Sequence, residues 1–199
     1  RFANRTPINA LAVRDAQHQF FGGDDGLLGH IEKGKASVTQ APGGETVNAV
    51  YASPATGRVL AAGNGGTAWE FVDDSWHTLS PPSNLCLMSV CIADDGTAYF
   101  GAEQGRVLGL RDGRWRELRV GPDDSLVYGL AEFNGVLYAA LGDQGIVQLD
   151  PQARTPKAKR VKDWPVYELS RQGEALFGAG EQYLTRFFDG VWENWEIEL

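Results

Sequence analysis

The sequence predicts an all-β protein made of five tandem sheets, each of four short antiparallel strands, and three observations predict it. A unit of 39 or 40 residues recurs along the 199-residue chain, with apolar strand starts at Ile8, Val47, Leu87, Val127 and Val166. A turn glycine keeps nearly the same spacing at Gly26, Gly66, Gly105 and Gly145. No stretch carries a capped helical period of apolar residues. Units this short cannot bury their own apolar faces, so neighbours must cover them in a repeating array. The expected organisation is one domain over residues 1–199, with units at about 8–46, 47–86, 87–126, 127–165 and 166–199.

Each unit opens with a short strand mixing small and apolar residues: Asn9 to Val13, Asn48 to Tyr51, Met88 to Ile92, Tyr128 to Ala131 and Tyr167 to Leu169. A tight turn follows, at Asp15-Ala16, Ser53-Pro54, Asp94-Asp95-Gly96, Asn134-Gly135 and Gln172-Gly173, where the residue types suit hairpin geometry. The second strands, Phe20 to Gly23, Val59 to Ala62, Ala98 to Gly101, Leu137 to Ala140 and Leu176 to Ala179, each end in Gly or Ala, which permits close sheet packing. A second turn leads to a third strand such as Arg106 to Leu110. A third turn, Asp112-Gly113-Arg114, then reaches Trp115 and an amphipathic fourth strand. Asp73-Asp74-Ser75-Trp76 and Asp189-Gly190-Val191-Trp192 repeat that ending, whereas the first unit has Glu32-Lys33-Gly34 and the fourth Asp150-Pro151-Gln152.

Over roughly residues 8–199 the chain resembles the β-propeller superfamily, through segments such as Gly96 to Gly101 and the Asp-Gly-x-Trp endings. The paired Gly-His and Trp-Asp signatures of WD40 repeats are absent from the sequence. The resemblance implies a five-bladed propeller, an architecture shared by some lectins and some glycan-cleaving enzymes, so fold alone does not name a function. The fifth unit owns a fourth strand, Asn194 to Leu199, so no strand-exchange clasp is expected. The expected closure is apolar packing of the first blade on the fifth, the alternative being a portion of a larger propeller.

Acidic residues exceed basic ones by 26 to 18, a net charge of −8, which argues against nucleic acid and anionic membrane as partners. No apolar stretch approaches the roughly 20 residues of a membrane-spanning helix. Arg1–Pro7 lacks the apolar core of a signal peptide. A cytoplasmic location is the expectation, with a processed periplasmic or secreted form as the alternative. Cys86 and Cys91 lie five apart on an apparent strand, about 17 Å at the usual rise and on opposite faces, so they are not expected to pair.

In a propeller the turns between second and third strands share one face with the connections between blades, and that face is expected to bind. Its turns are Asp24-Asp25, Asn64-Gly65, Glu103-Gln104, Asp143-Gln144 and Glu181-Gln182, a set of carboxylates and amides presented once per blade. Such convergent acids raise the local potential and suit a basic partner, although Asp, Asn and Gly are also ordinary turn residues. In the last connection Trp164 has no counterpart in other units, and it could form an aromatic platform with Tyr128 and Tyr167 or be buried between blades. The basic run Arg154, Lys157, Lys159, Arg160 and Lys162 reads as edge protection on an outer strand.

No enzyme constellation emerges. His18, His30 and His77 are scattered over a turn and two strands, and the paired aspartates lack the alternating ligand pattern of a calcium loop. The expected function is a noncatalytic, cofactor-free module that binds another protein through its turn face, with an immunity or antitoxin-like role in view. The alternative is a carbohydrate-binding lectin, and a third reading is a glycosidase with carboxylates near its axis.

Overall fold

A computed structural model describes residues 6–197. The chain separates into two compact units, Arg1–Val90 and Cys91–Leu199. The first holds two four-stranded sheets in meander order. Blade 1 is β1 (Ile8–Asp15), β2 (His18–Gly23), β3 (Leu27–Glu32) and β4 (Lys35–Gln40). Blade 2 is β5 (Val47–Ala52), β6 (Val59–Gly63), β7 (Ala68–Val72) and β8 (Ser75–Leu79). Single 3-10 turns, Asp24–Gly26 and Asn64–Gly66, join second to third strands and are the only helical residues among those described.

The other three sheets follow the same order. Blade 3 is β9 (Leu87–Ile92), β10 (Ala98–Ala102), β11 (Arg106–Arg111) and β12 (Arg114–Arg119), its first strand beginning just before the unit boundary. Blade 4 is β13 (Gly129–Phe133), β14 (Val136–Ala140), β15 (Ile146–Leu149) and β16 (Lys159–Lys162). Blade 5 is β17 (Glu168–Gln172), β18 (Ala175–Ala179), β19 (Tyr183–Phe188) and β20 (Val191–Glu196). Five antiparallel four-stranded sheets make this a five-bladed β-propeller fold. The last two residues of the fourth strand expected at Asn194 to Leu199 lie outside the described residues. His18, expected in a turn, is instead the first residue of β2, paired with Glu32 across the sheet.

Alternation along each strand sorts side chains to the two faces of a blade, and adjacent blades share the apolar ones. Leu28 and Ala41 of the first repeat meet Val47, Ala61 and Trp69 of blade 2. Phe20 packs edge-on against Phe71 and Trp76 of blade 2. In the other unit, Tyr138 and Ile146 of blade 4 join Val166, Leu169 and Leu176 of blade 5 in one cluster, with Phe187 and Trp192 packed on it. Trp76 and Trp192 therefore hold joints, while Trp115, at the same repeat position, packs on Phe100 of its own blade. Glycine permits the closest approaches: a Cβ on Gly22 would stand 2.3 Å from a methyl of Val47.

Candidate functional site

The turn between β14 and β15, residues 141–145, is a compact loop. Leu141 donates its N–H to Gly145 at 2.9 Å, and Gly145 donates to Gly142 at 2.9 Å. Gly142, at φ +60, occupies left-handed backbone. It also exchanges both main-chain bonds with Val166, at 3.0 and 3.3 Å, across the joint between blades 4 and 5. That bridge delivers the next residue, Tyr167, to the side of the turn. Its phenol donates to Oδ1 of Asp143 at 2.9 Å. The ring meets that of Tyr128 edge to face, with centroids 5.1 Å apart and planes at 69°. A Cβ on Gly142 would lie 3.0 Å from each ring, so this glycine makes room for the pair.

Electrostatics follow from that geometry. The hydrogen bond to Asp143 comes first in raising the Tyr167 phenol above its usual value, followed by desolvation and the negative charges of Asp143 and Glu181. Asp143, Glu181 and Tyr128 thus all act on Tyr167. Asp143 and Glu181 are exposed, and both tyrosines are half-buried. The cluster offers two rings and two carboxylates, a set that suits a cationic side chain.

The remaining anticipated residues lie elsewhere. Gln144 accepts a hydrogen bond from Oγ of the buried Ser125 at 2.7 Å, tying its turn to the preceding connection. Glu103 forms an antiparallel bridge with Leu126, and Gln104 is exposed in left-handed backbone. The carbonyl of Gln182 accepts the N–H of Ile197 at 2.8 Å. In the first unit Asp25 is exposed, whereas Asp24 and Asn64 accept side-chain amide hydrogens from Asn9 and Asn48, each at 2.8 Å. The same amides reach the carbonyls of Val47 and Leu87, at 3.4 and 2.9 Å. Asp24 and Asn64 therefore take part in the joints.

Of the two placements open to Trp164, a platform with Tyr128 and Tyr167 or burial between blades, the structure has the second. It packs against Trp192 with centroids 6.4 Å apart, beneath the ammonium of Lys162 at 4.6 Å. The physical reason is the large indole area, which is drawn onto the apolar cluster between blades 4 and 5.

A second constellation lies where first strands turn into second strands, at the opposite end of these sheets. Buried Glu132 accepts the N–H of Asp94 at 3.1 Å and that of Gly135, and it lies 3.5 Å from Arg171 of blade 5. Arg171 also holds both carboxylate oxygens of Asp94 at 2.8 Å. Its guanidinium lies over the ring of Phe133. Three blades are stapled by these groups. Aligning the repeats exposes the signal for this, because Val13, Ala52 and Ile92 occupy the positions of Glu132 and Arg171. Among the described residues, no three of His, Cys, Asp and Glu gather closely enough to hold a metal ion. No helix of the described residues is long and apolar enough to cross a membrane.

No family model matches the chain. Over 82 residues it is 30 % identical to the immune protein Tsi7 of Pseudomonas aeruginosa, covering 41 % of this chain and 27 % of that protein. The chain thus spans about a quarter of that relative's length. Among solved structures it is similar to BamB from Moraxella catarrhalis, with a TM-score of 0.67 at 21 % identity, over 95 % of this chain and 61 % of that one. A protein of unknown function from Bacteroides caccae gives a TM-score of 0.66 at 17 % identity, over 88 % of this chain and 71 % of its own. At these identities the structural likenesses bear on the fold alone.

Proposed function

We propose that this chain is a noncatalytic binding module of the immunity type, which holds another protein through Tyr128, Asp143, Tyr167 and Glu181. The observation that carries the reading is the phenol of Tyr167 fixed by Asp143 against Tyr128 on an exposed turn. Two aromatic side chains held rigid before binding lose little entropy on contact and supply the kind of anchor that dominates protein interfaces. The neighbouring carboxylates favour a lysine or arginine on the partner and speed its encounter. Partial similarity to a protein named as an immune protein supports the same class.

A lectin with equivalent sites in every blade has less support. The repeat position occupied by Tyr128 and Tyr167 holds Asn9, Asn48 and Met88 in the other blades, so the aromatic pair occurs once. Rings at 69° to one another form an edge-to-face pair, which is a different surface from the open ring face on which a sugar stacks.

Affinity capture from the native source, with a variant combining Glu103→Gln, Asp143→Asn and Glu181→Gln as control, tests the reading. A bound protein that the variant retains weakly, and whose capture loses its salt dependence, is expected. Equal capture by both proteins, or glycan binding with a stoichiometry above one, would remove it.

A further inference from the structure

A cleft opens inside the unit Arg1–Val90, between the outer hairpin of blade 1 and the last turn of blade 2. Its volume is about 320 Å³, and its polar lining comes from His30, Glu32, Ser37, Thr39, Asp74 and Trp76. His30 pairs with Ser37 across β3 and β4, and Leu28 with Thr39, so alternation turns these residues to the side on which Leu28 meets blade 2. Glu32, two residues past His30, shares that side. Asp74 comes from the other wall, at the tip of the turn between β7 and β8, where it is exposed in left-handed backbone at φ +60. Trp76 follows it, packed on Phe20 and Phe71. The cleft thus has a carboxylate on each wall and an indole beside them.

The equivalent gap within the unit Cys91–Leu199 is filled. In blade 3 Gly109 stands opposite Tyr99 and Arg116 opposite Gly109, as in blade 1 His30 stands opposite Phe20 and Ser37 opposite His30. Arg116 therefore holds the repeat position of Ser37. Across the joint, Leu149 pairs with Leu137 as Phe71 pairs with Val59, which puts Gln152 at the repeat position of Asp74. The Arg116 guanidinium spans the gap and donates to the carbonyls of Pro151 at 3.0 Å and Ala153 at 3.5 Å, the two residues that flank Gln152. Between blades 1 and 2 a serine replaces that arginine and a carboxylate stands where the arginine would end.

We infer that the cleft between blades 1 and 2 takes an arginine side chain of a partner protein, seated between Glu32 and Asp74 as Arg116 is seated between blades 3 and 4. A guanidinium is planar and carries five donors, so it can bond carboxylates and the Ser37 and Thr39 hydroxyls from both walls at once and lie along an indole. The ammonium of lysine is compact and strongly hydrated and matches such a slot less well. Lys33 takes one oxygen of Glu32 at 2.9 Å, and the carboxylate has a second with which to accept. The site shares no residue with the Tyr128, Asp143, Tyr167 and Glu181 cluster and stands without it.

Titrating the isotope-labelled protein with Nα-acetylarginine amide, and following backbone amides and the Trp76 indole by NMR, tests this. Saturable shifts grouped at His30, Ser37, Asp74 and Trp76 are expected. Binding should weaken about tenfold in Glu32→Gln combined with Asp74→Asn, the sum of two part-exposed ion pairs. The citrulline counterpart of the probe, which keeps the shape of arginine without its charge, should bind as weakly. Ser37→Arg should rebuild the arrangement of Arg116 and abolish the shifts. All three positions are half-buried or exposed, so the variants should fold as wild type does by circular dichroism. No saturable shift at these residues, equal binding of the citrulline probe, or binding that survives Ser37→Arg overturns the site. Shifts confined to Tyr128 and Tyr167 would assign the cation to the turn cluster and also overturn it.

Discussion

The hydroxyl of Tyr167 donates to the carboxylate of Asp143 at 2.9 Å, joining the first residue past one blade's entry to the exposed turn of the blade before it. A charge-assisted bond of this kind favours the neutral phenol, so Tyr167 loses its proton above the ordinary tyrosine value. Any stability it adds is therefore present at neutral pH and is lost as pH rises through the raised value. Absorbance titration of phenolate formation is expected to show a late-ionising tyrosine that disappears in Tyr167→Phe and moves earlier in Asp143→Asn. An unchanged titration curve in Asp143→Asn would contradict the bond.

Gly142→Ala is expected to damage both the joint and the cluster. The alanine must adopt φ +60, a conformation that costs roughly 1–2 kcal/mol for a residue with a Cβ. Its methyl would also press on both tyrosine rings from 3.0 Å. A lowered melting temperature together with weaker partner capture checks this, and Gly135→Ala, whose Cβ would meet nothing within 4 Å, controls for the backbone cost alone.

Glu132→Ala leaves the Asp94 and Gly135 amides without their acceptor and should cost about 1–3 kcal/mol in denaturant unfolding. Arg171→Met alone should also destabilise, because it leaves the buried Glu132 carboxylate with its two N–H donors but without its cation. Combining the two, as Glu132→Ala with Arg171→Met, is expected to cost less than the two losses added together, giving a coupling of about 0.5–3 kcal/mol in a double-mutant cycle. Additive losses would show that the two residues act independently.

Cys91 is expected to be inert. Burial, and then the charge of Glu132, push its thiol up to about 12, so almost no thiolate exists at pH 8. Ellman's reagent should detect no more than one thiol in the native protein and both after denaturation. Rapid native labelling of Cys91 would imply that the sheet opens around it.

The repeat period was enough to place the blades, because the position of a strand start such as Val127 is dictated by the same burial in every unit. The candidate cluster was legible only in part. Asp143, Tyr128 and Tyr167 were marked by turn chemistry and by aromatic residues at a repeated position, but their contact depends on Gly142, which reads in sequence as an ordinary turn glycine. Trp164 was left open between a platform and a place between blades, because a single indole carries no sign of which way its apolar area will be drawn. The Glu132 and Arg171 pair went unseen in reading each strand alone. It is visible only when the repeats are compared and two charges of opposite sign replace aliphatic residues one blade apart.

One repeat position shows how such a fold can acquire specificity at small cost. In blades 1 and 2 the amides of Asn9 and Asn48 reach the carbonyl that opens the next blade, so those side chains take part in the joint. At the corresponding carbonyl of Val166 the backbone N–H of Gly142 does that duty instead. With its structural obligation transferred to the main chain, the side chain of Tyr128 is released to vary. Duplicated units can therefore diverge one blade at a time, each exchanging a shared scaffold bond for a private contact while its neighbours keep the frame intact.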